Sequence, residues 1–175
     1  MSGSTLNGIS RVDPRSGRPG WKRAILRAAA TKPGTALHRM VAARLDKPLM
    51  KVTGGRVTLG AGAVPVAILT SIGARTGKCR ETPVTYFTDG DDVILMASNY
   101  GGDHHPGWFY NLLANPECEL HIGPRGGRFT ARETHGVDRD QLFALAVELY
   151  SGYGRYAQRT EGVRTIRVLR LTPSG

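Results

Sequence analysis

The alternation of apolar and polar positions changes character twice along this 175-residue chain. Residues 1–20 carry Ser, Gly, Pro and Arg without periodicity and read as a flexible tail. In WKRAILRAAATK, Trp21, Ile25, Ala28 and Ala29 share one helical face while Lys22, Arg23 and Arg27 point elsewhere, until Pro33-Gly34 breaks the pattern. Leu37, Met40, Val41 and Leu45 repeat the stripe from Thr35 to Asp46, so residues 21–60 predict a basic amphipathic helical arm. From residue 63 the pattern turns to strands: AVPVAILTSI, then TPVTYFTDGDDVILMASN, in which Asp89-Gly90 marks a hairpin turn. A helix from about Pro106 to Ala114 follows, and then a second hairpin, ECELHIG and GRFTARET across GPRGG. DRDQLFALAVELY predicts a helix with Asp138 as its N-cap, and VRTIRVLRLTP a closing strand. Hairpins interrupted by helices predict an α+β fold over residues 61–175, an antiparallel barrel with packed helices and not a Rossmann sheet.

Charge sharpens this division. The formal net charge is +10, and residues 1–60 hold all of it, with twelve Lys/Arg against Asp13 and Asp46; residues 61–175 hold twelve of each sign. The arm is therefore open to three readings: an anionic membrane surface met by residues 21–48, an anionic ligand tail, or a solvated face. A nucleic-acid partner is disfavoured, because the arm has one aromatic residue, Trp21, and no groove-reading motif. Cys79 and Cys118 make no disulfide framework, no apolar stretch approaches the length of a bilayer span, and the start MSGSTLNGISRVDP lacks the apolar centre of a signal peptide. A reduced cytoplasmic protein is the expectation, with peripheral attachment to the inner face of the membrane as its variant.

Candidate chemistry begins in IGARTGKCRETPV, residues 72–84, where Arg75, Lys78 and Arg80 stand among glycines and threonines between two strands. Such a loop can turn backbone N–H groups and charged donors onto one phosphate, or it can be a solvated hairpin end. It matches neither a Walker loop nor G-x-G-x-x-G. Tyr150, Tyr153 and Tyr156 recur every three residues at a helix end, as a packing stripe or as the wall of an acceptor cleft. Asp103, His104 and His105 lack the spacing of a metal site, and Asp103 is a cap candidate for the helix that follows; no metal is predicted.

LTSIGARTGKCRETPV, DGDDVILMASNYGGDHHPGWFYNLLANPECEL and LYSGYGRYAQRTEG together resemble, in order and spacing, the deazaflavin-dependent nitroreductase family, with its F420H2-dependent quinone reductases. The resemblance covers roughly residues 60–172. It implies a split β-barrel of the FMN-binding-like kind and coenzyme F420 as cofactor. Arg75, Thr76, Gly77, Lys78 and Arg80 would hold its phosphate tail. Pro83, Val84 and Thr85 would line its ring, Ala97, Ser98 and Asn99 its carbonyl edge, and Trp108 and Asn111 the pocket wall. Tyr150, Tyr153 and Tyr156 would shape the substrate pocket, with Tyr153 as donor and Ser98 as helper in catalysis. Ala74 and Asn99 stand where the family favours basic residues. The implied reaction carries hydride from reduced F420 to a quinone, nitroaromatic or conjugated carbonyl acceptor. FMN on the same barrel is the alternative cofactor, and a non-enzymatic nucleic-acid or membrane binder is the alternative function.

Overall fold

The computed structural model describes residues 5–16 and 64–175. The predicted arm, and with it the segment 21–48, lies outside them. Eight strands are present among these residues: β1 Thr5–Leu6, β2 Ile9–Ser10, β3 Val66–Ile72, β4 Cys79–Asp89, β5 Asp92–Met96, β6 Glu117–Ile122, β7 Arg125–Glu133 and β8 Val168–Pro173. The last six close a barrel in the order β3-β4-β5-β8-β7-β6, and every neighbouring pair is antiparallel. Three helices accompany it: α1 Gly107–Ala114, α2 Gly136–Leu149 and α3 Gly152–Thr160. The predicted turn is where the sequence places it, since Asp89 pairs with Asp92 and leaves Gly90-Asp91 as a two-residue connection.

Side-chain alternation sorts the barrel into two apolar layers. Leu69, Val84, Tyr86, Val93, Leu95 and Phe129 point inward, where Trp108, Phe109 and Leu112 of α1 join them. Phe87, Ile94 and Met96 point outward and are covered by Leu142, Ala146 and Leu149 of α2 and by Tyr153 and Tyr156 of α3. The strand register puts α1 at one end of the barrel, beside the β3–β4 connection, because Asn111 bonds to Ser71 and Ala74.

The opposite end is closed by residues 5–16, which corrects the reading of this segment as part of a flexible tail. Asn7 (φ 47°) and Gly8 (φ 85°) form a two-residue turn with both residues left-handed, and Leu6 pairs with Ile9 across it. Leu6 and Ile9 are buried in the inner layer. The Tyr86 hydroxyl donates to the Ser10 carbonyl (3.1 Å), Thr88 is bonded to both backbone groups of Val12, and the Asn7 amide donates to the Arg128 carbonyl (2.7 Å). The plug fits because a Cβ on Gly127 would stand 2.4 Å from the Asn7 side chain. GPRGG is therefore more than a turn: Gly126 and Gly127 belong to β7 and make room for the hairpin.

Three further readings are corrected. Asp138 does not cap α2, whose N-cap is His135; its carboxylate accepts from Arg170 Nη2 at 2.9 Å. Asp103 does not cap α1, whose N-cap is Pro106, and is paired with His104 instead. The closing strand starts only at Val168, and the chain before it includes α3, which the two glycines of SGYGRYAQRT conceal. Among the described residues no helix is long and apolar enough to cross a membrane.

Candidate functional site

The β3–β4 connection is a tight, self-bonded loop. The Gly73 N–H donates to the Lys78 carbonyl (2.8 Å), and the Thr76 and Gly77 N–H groups donate back to the Gly73 carbonyl (3.2 and 2.8 Å). Asn111 on α1 steadies it from below: its Oδ1 accepts from the Ala74 N–H at 3.0 Å, and its Nδ2 donates to Ser71 Oγ at 3.3 Å. The Asn111 amide is thus committed to the loop, which makes it a support for the cations and not a free pocket wall. Arg75, Lys78 and Arg80 are exposed and form no ion pair among the described residues, whereas Arg170 is neutralised by Asp89, Asp92 and Asp138 and Arg167 by Glu133. Three cations on a braced loop, with no carboxylate partner among the described residues, have the chemistry to hold an anion.

Alternation along β4 divides the predicted ring-lining residues. Val84 points its side chain into the barrel core, while Pro83 and Thr85 stand half-buried on the outer face, opposite Ile68 and Val66 of β3. Arg80 shares the inward parity of Val84, with its stem beside Gly73 at the barrel rim. The cations therefore ring the end of a half-apolar outer surface: Arg75 and Lys78 in the loop, Arg80 at its inner edge. Trp108 is buried and packs with the inner core of the barrel.

After β5 the chain runs through Ala97, Ser98 and the turn Asn99–Gly101. Ala97 is fully buried, its N–H donating to the Arg167 carbonyl and its carbonyl accepting from Arg164. Asn99 is left-handed (φ 45°) and spends its amide on the His104 carbonyl at 3.0 Å. Ser98 is half-buried, and its hydroxyl has no hydrogen-bond partner among the described residues.

The three tyrosines do come together. Their ring centroids lie 5.4, 6.0 and 6.2 Å apart in edge-to-face contacts, and the Tyr150 and Tyr156 hydroxyls are 3.1 Å apart. Tyr153 is enclosed between α3 and the outer face of β4, where it meets the Thr85 hydroxyl. Burial, then Tyr156, raises the Tyr153 pKa above the ordinary tyrosine range, with the Thr85 bond opposing; burial and the Tyr156 hydrogen bond raise that of Tyr150. Both phenols stay protonated at neutral pH and are donors. Tyr156 is also buried, so Tyr150, half-buried, presents the most accessible of the three rings.

Gly152 sets this arrangement. A Cβ there would fall 2.1 Å from Tyr150 Cζ, whereas one on Gly154 would meet only Val147, at 3.8 Å. Gly152→Ala must swing Tyr150 away from Tyr156 and lowers stability by about 1–2 kcal/mol, the cost of overpacking less the gain in helix propensity. Gly154→Ala gains about 0.5–1 kcal/mol from propensity. Thermal melts of the two variants beside the parent check this; equal melting temperatures for both would contradict the packing described.

Arg164 carries no signal in the sequence, yet it links the segment 97–105 to the chain after α3 through four polar contacts. Among the described residues no cluster of three His, Cys, Asp or Glu side chains could hold a metal ion.

A family model described as F420H(2)-dependent quinone reductase matches residues 42–171. An F420H(2)-dependent quinone reductase of Mycobacterium tuberculosis is 36% identical over 133 residues, covering 74% of this chain and 88% of its own length. A solved structure of an F420-H2 dependent reductase superposes with a TM-score of 0.55 at 33% identity, over 61% of this chain and 93% of that one. A second solved structure, described as a domain-swapped dimer, superposes with a TM-score of 0.57 at 30% identity, over 71% of this chain and 94% of that one. The fold is the split barrel of these reductases.

Proposed function

Because the chain belongs to the F420H(2)-dependent quinone reductase family, and so is an oxidoreductase using coenzyme F420 rather than FMN, we propose that it binds the deazaflavin along the outer face of β3 and β4 and reduces a quinone there. The observation that carries the placement is the set Arg75, Lys78 and Arg80, without ion pairs among the described residues, at one end of the half-buried strip formed by Pro83 and Thr85. The residues present fit the group: cations and loop N–H groups suit a phosphodiester tail, and the strip accepts a flat ring. Bound in its reduced form, the coenzyme supplies the hydride.

The chain's own residues then place the acceptor and supply protons. Reduction of a quinone leaves negative charge on its oxygen, which needs a donor in reach. The tyrosine cluster offers phenols that remain protonated, and its position against Thr85 puts it beside the ring-binding strip. Tyr150, the accessible member, contacts the acceptor in this reading. Tyr153 acts as donor across Thr85, with the Ser98 hydroxyl, unengaged among the described residues, as its helper. An acceptor panel of a quinone, a nitroaromatic and a conjugated carbonyl compound, each with reduced F420, tests the assignment. The quinone is expected to be turned over at least tenfold more efficiently, a difference of about 1.4 kcal/mol in transition-state binding. Preference for the nitroaromatic would reassign the acceptor.

A further inference from the structure

From Ala97 to Gly102 the chain has left the barrel ladder, and three consecutive residues are left-handed: Asn99 (φ 45°), Tyr100 (φ 54°) and Gly101 (φ 74°). Asparagine and glycine tolerate that region, but a bulky tyrosine there is strained, and such strain persists only where surrounding structure imposes it. Tyr100 packs against the outer apolar layer and Asn99 bonds to the His104 carbonyl, and Arg164 holds the carbonyls on both sides of the turn. Its Nε donates to the Gly102 carbonyl (2.9 Å) and its Nη2 to the Ser98 carbonyl (2.7 Å); its Nη1 donates to the Ala97 carbonyl (3.2 Å) and meets His105 Nδ1 at 3.0 Å. One guanidinium therefore grips both ends of the left-handed turn, which its planar fork of donors allows and a lysine ammonium does not.

We propose that Arg164 is a positioning residue for cofactor binding, a brace that fixes Ser98 and the turn beside the deazaflavin strip, and that neutral His105 completes the brace as its fourth acceptor. The proposal rests on the cofactor placement given above. It also makes the brace sensitive to pH. The charged and titratable groups around His105 are Arg164 and Arg167 before β8, Glu133 on β7, Tyr110 on α1, and Asp103 and His104 on its own loop. Desolvation and then the two arginines hold the His105 pKa below the ordinary histidine range, outweighing the Ala97 carbonyl and Glu133. His105 is accordingly neutral at pH 7, and its Nδ1 accepts from Arg164. Protonation removes that acceptor and sets an imidazolium against a guanidinium. The brace is intact above the unperturbed histidine pKa and is lost as pH falls through the depressed one.

The test is a titration with oxidised coenzyme F420 of the parent, Arg164→Lys and His105→Gln at about pH 7.5 and then at successively lower pH, below the ordinary histidine range and down to the acid limit of the folded parent. Arg164→Lys is expected to bind at least tenfold more weakly at the higher pH. The parent should lose several-fold more affinity on acidification than His105→Gln, the ligand's own titration being common to both. Parental affinity in Arg164→Lys, or an identical pH dependence in His105→Gln, would overturn the proposal. Amide hydrogen exchange of residues 97–102 supplies a readout independent of ligand. If the parent binds no deazaflavin, the cofactor reading fails by itself; exchange that is faster in Arg164→Lys then still supports the brace, and unchanged exchange refutes it.

Discussion

An Ile9→Asp protein is expected to lose most of its folded population, although residue 9 lies outside the 42–171 stretch that matches the family model. Ile9 is fully buried in the inner core, in a hairpin that closes one end of the barrel. Removing its apolar side chain costs about 2–5 kcal/mol in transfer and cavity terms, and a buried carboxyl without a partner adds several more. The sum rivals the ~5–15 kcal/mol that holds a domain of this size together. Ile9→Val, which keeps the hairpin apolar, should cost only about 0.5–1.5 kcal/mol. Urea unfolding of the parent and both variants measures this; an Ile9→Asp midpoint equal to the parent's would show that the hairpin does not plug the barrel.

The second large effect is on ligand affinity. Replacing both Arg75 and Lys78 by alanine is expected to weaken coenzyme F420 binding by roughly 30- to 100-fold, about 2–3 kcal/mol, because each cation contributes a charge-assisted contact discounted for its exposure. Added salt should weaken binding to the parent more than to the double variant. Arg125→Ala with Arg128→Ala is the control: these exposed cations lie at the plugged end of the barrel and should change affinity less than twofold, about 0.4 kcal/mol. Equal losses in both double variants would mean that general positive charge, and not the β3–β4 loop, attracts the ligand.

Much of the barrel was legible because its strands are bounded by strong turns. Asp89-Gly90 lies between two β-rich runs, and the register confirms the hairpin. The same rule applies to Leu6-Asn7-Gly8-Ile9, an Asn-Gly turn between apolar residues, but the Ser, Gly and Pro around it dominate the composition and hide it. In the candidate site the cationic loop was readable from charge and glycine alone. The separation of Val84 from Pro83 and Thr85 was also present in the sequence, as simple strand alternation, once the strand is known to have a core on its inner side. Asn111 and Arg164 were a different matter. Asn111 supports the loop from 37 residues away, and Arg164 reaches the left-handed turn across 62 to 67 residues, so neither role has a local pattern.

The tyrosines show why the two readings of one stripe need not exclude each other. Tyr153 and Tyr156 are packing residues by burial, and the same packing carries Tyr150 and the Tyr153 hydroxyl to the edge of the proposed ligand strip. Core formation and site formation here use one helix, α3, whose first residue, Gly152, leaves room for the Tyr150 ring.

The most direct test of the central claim is to mix the purified protein with reduced coenzyme F420 and a quinone, and to follow the return of the oxidised deazaflavin's visible absorbance. The account predicts rapid reoxidation that requires both protein and quinone and is greatly slowed in the Arg75→Ala, Lys78→Ala variant at limiting cofactor. Reoxidation no faster than in the protein-free mixture, from a protein that melts cooperatively, would contradict it.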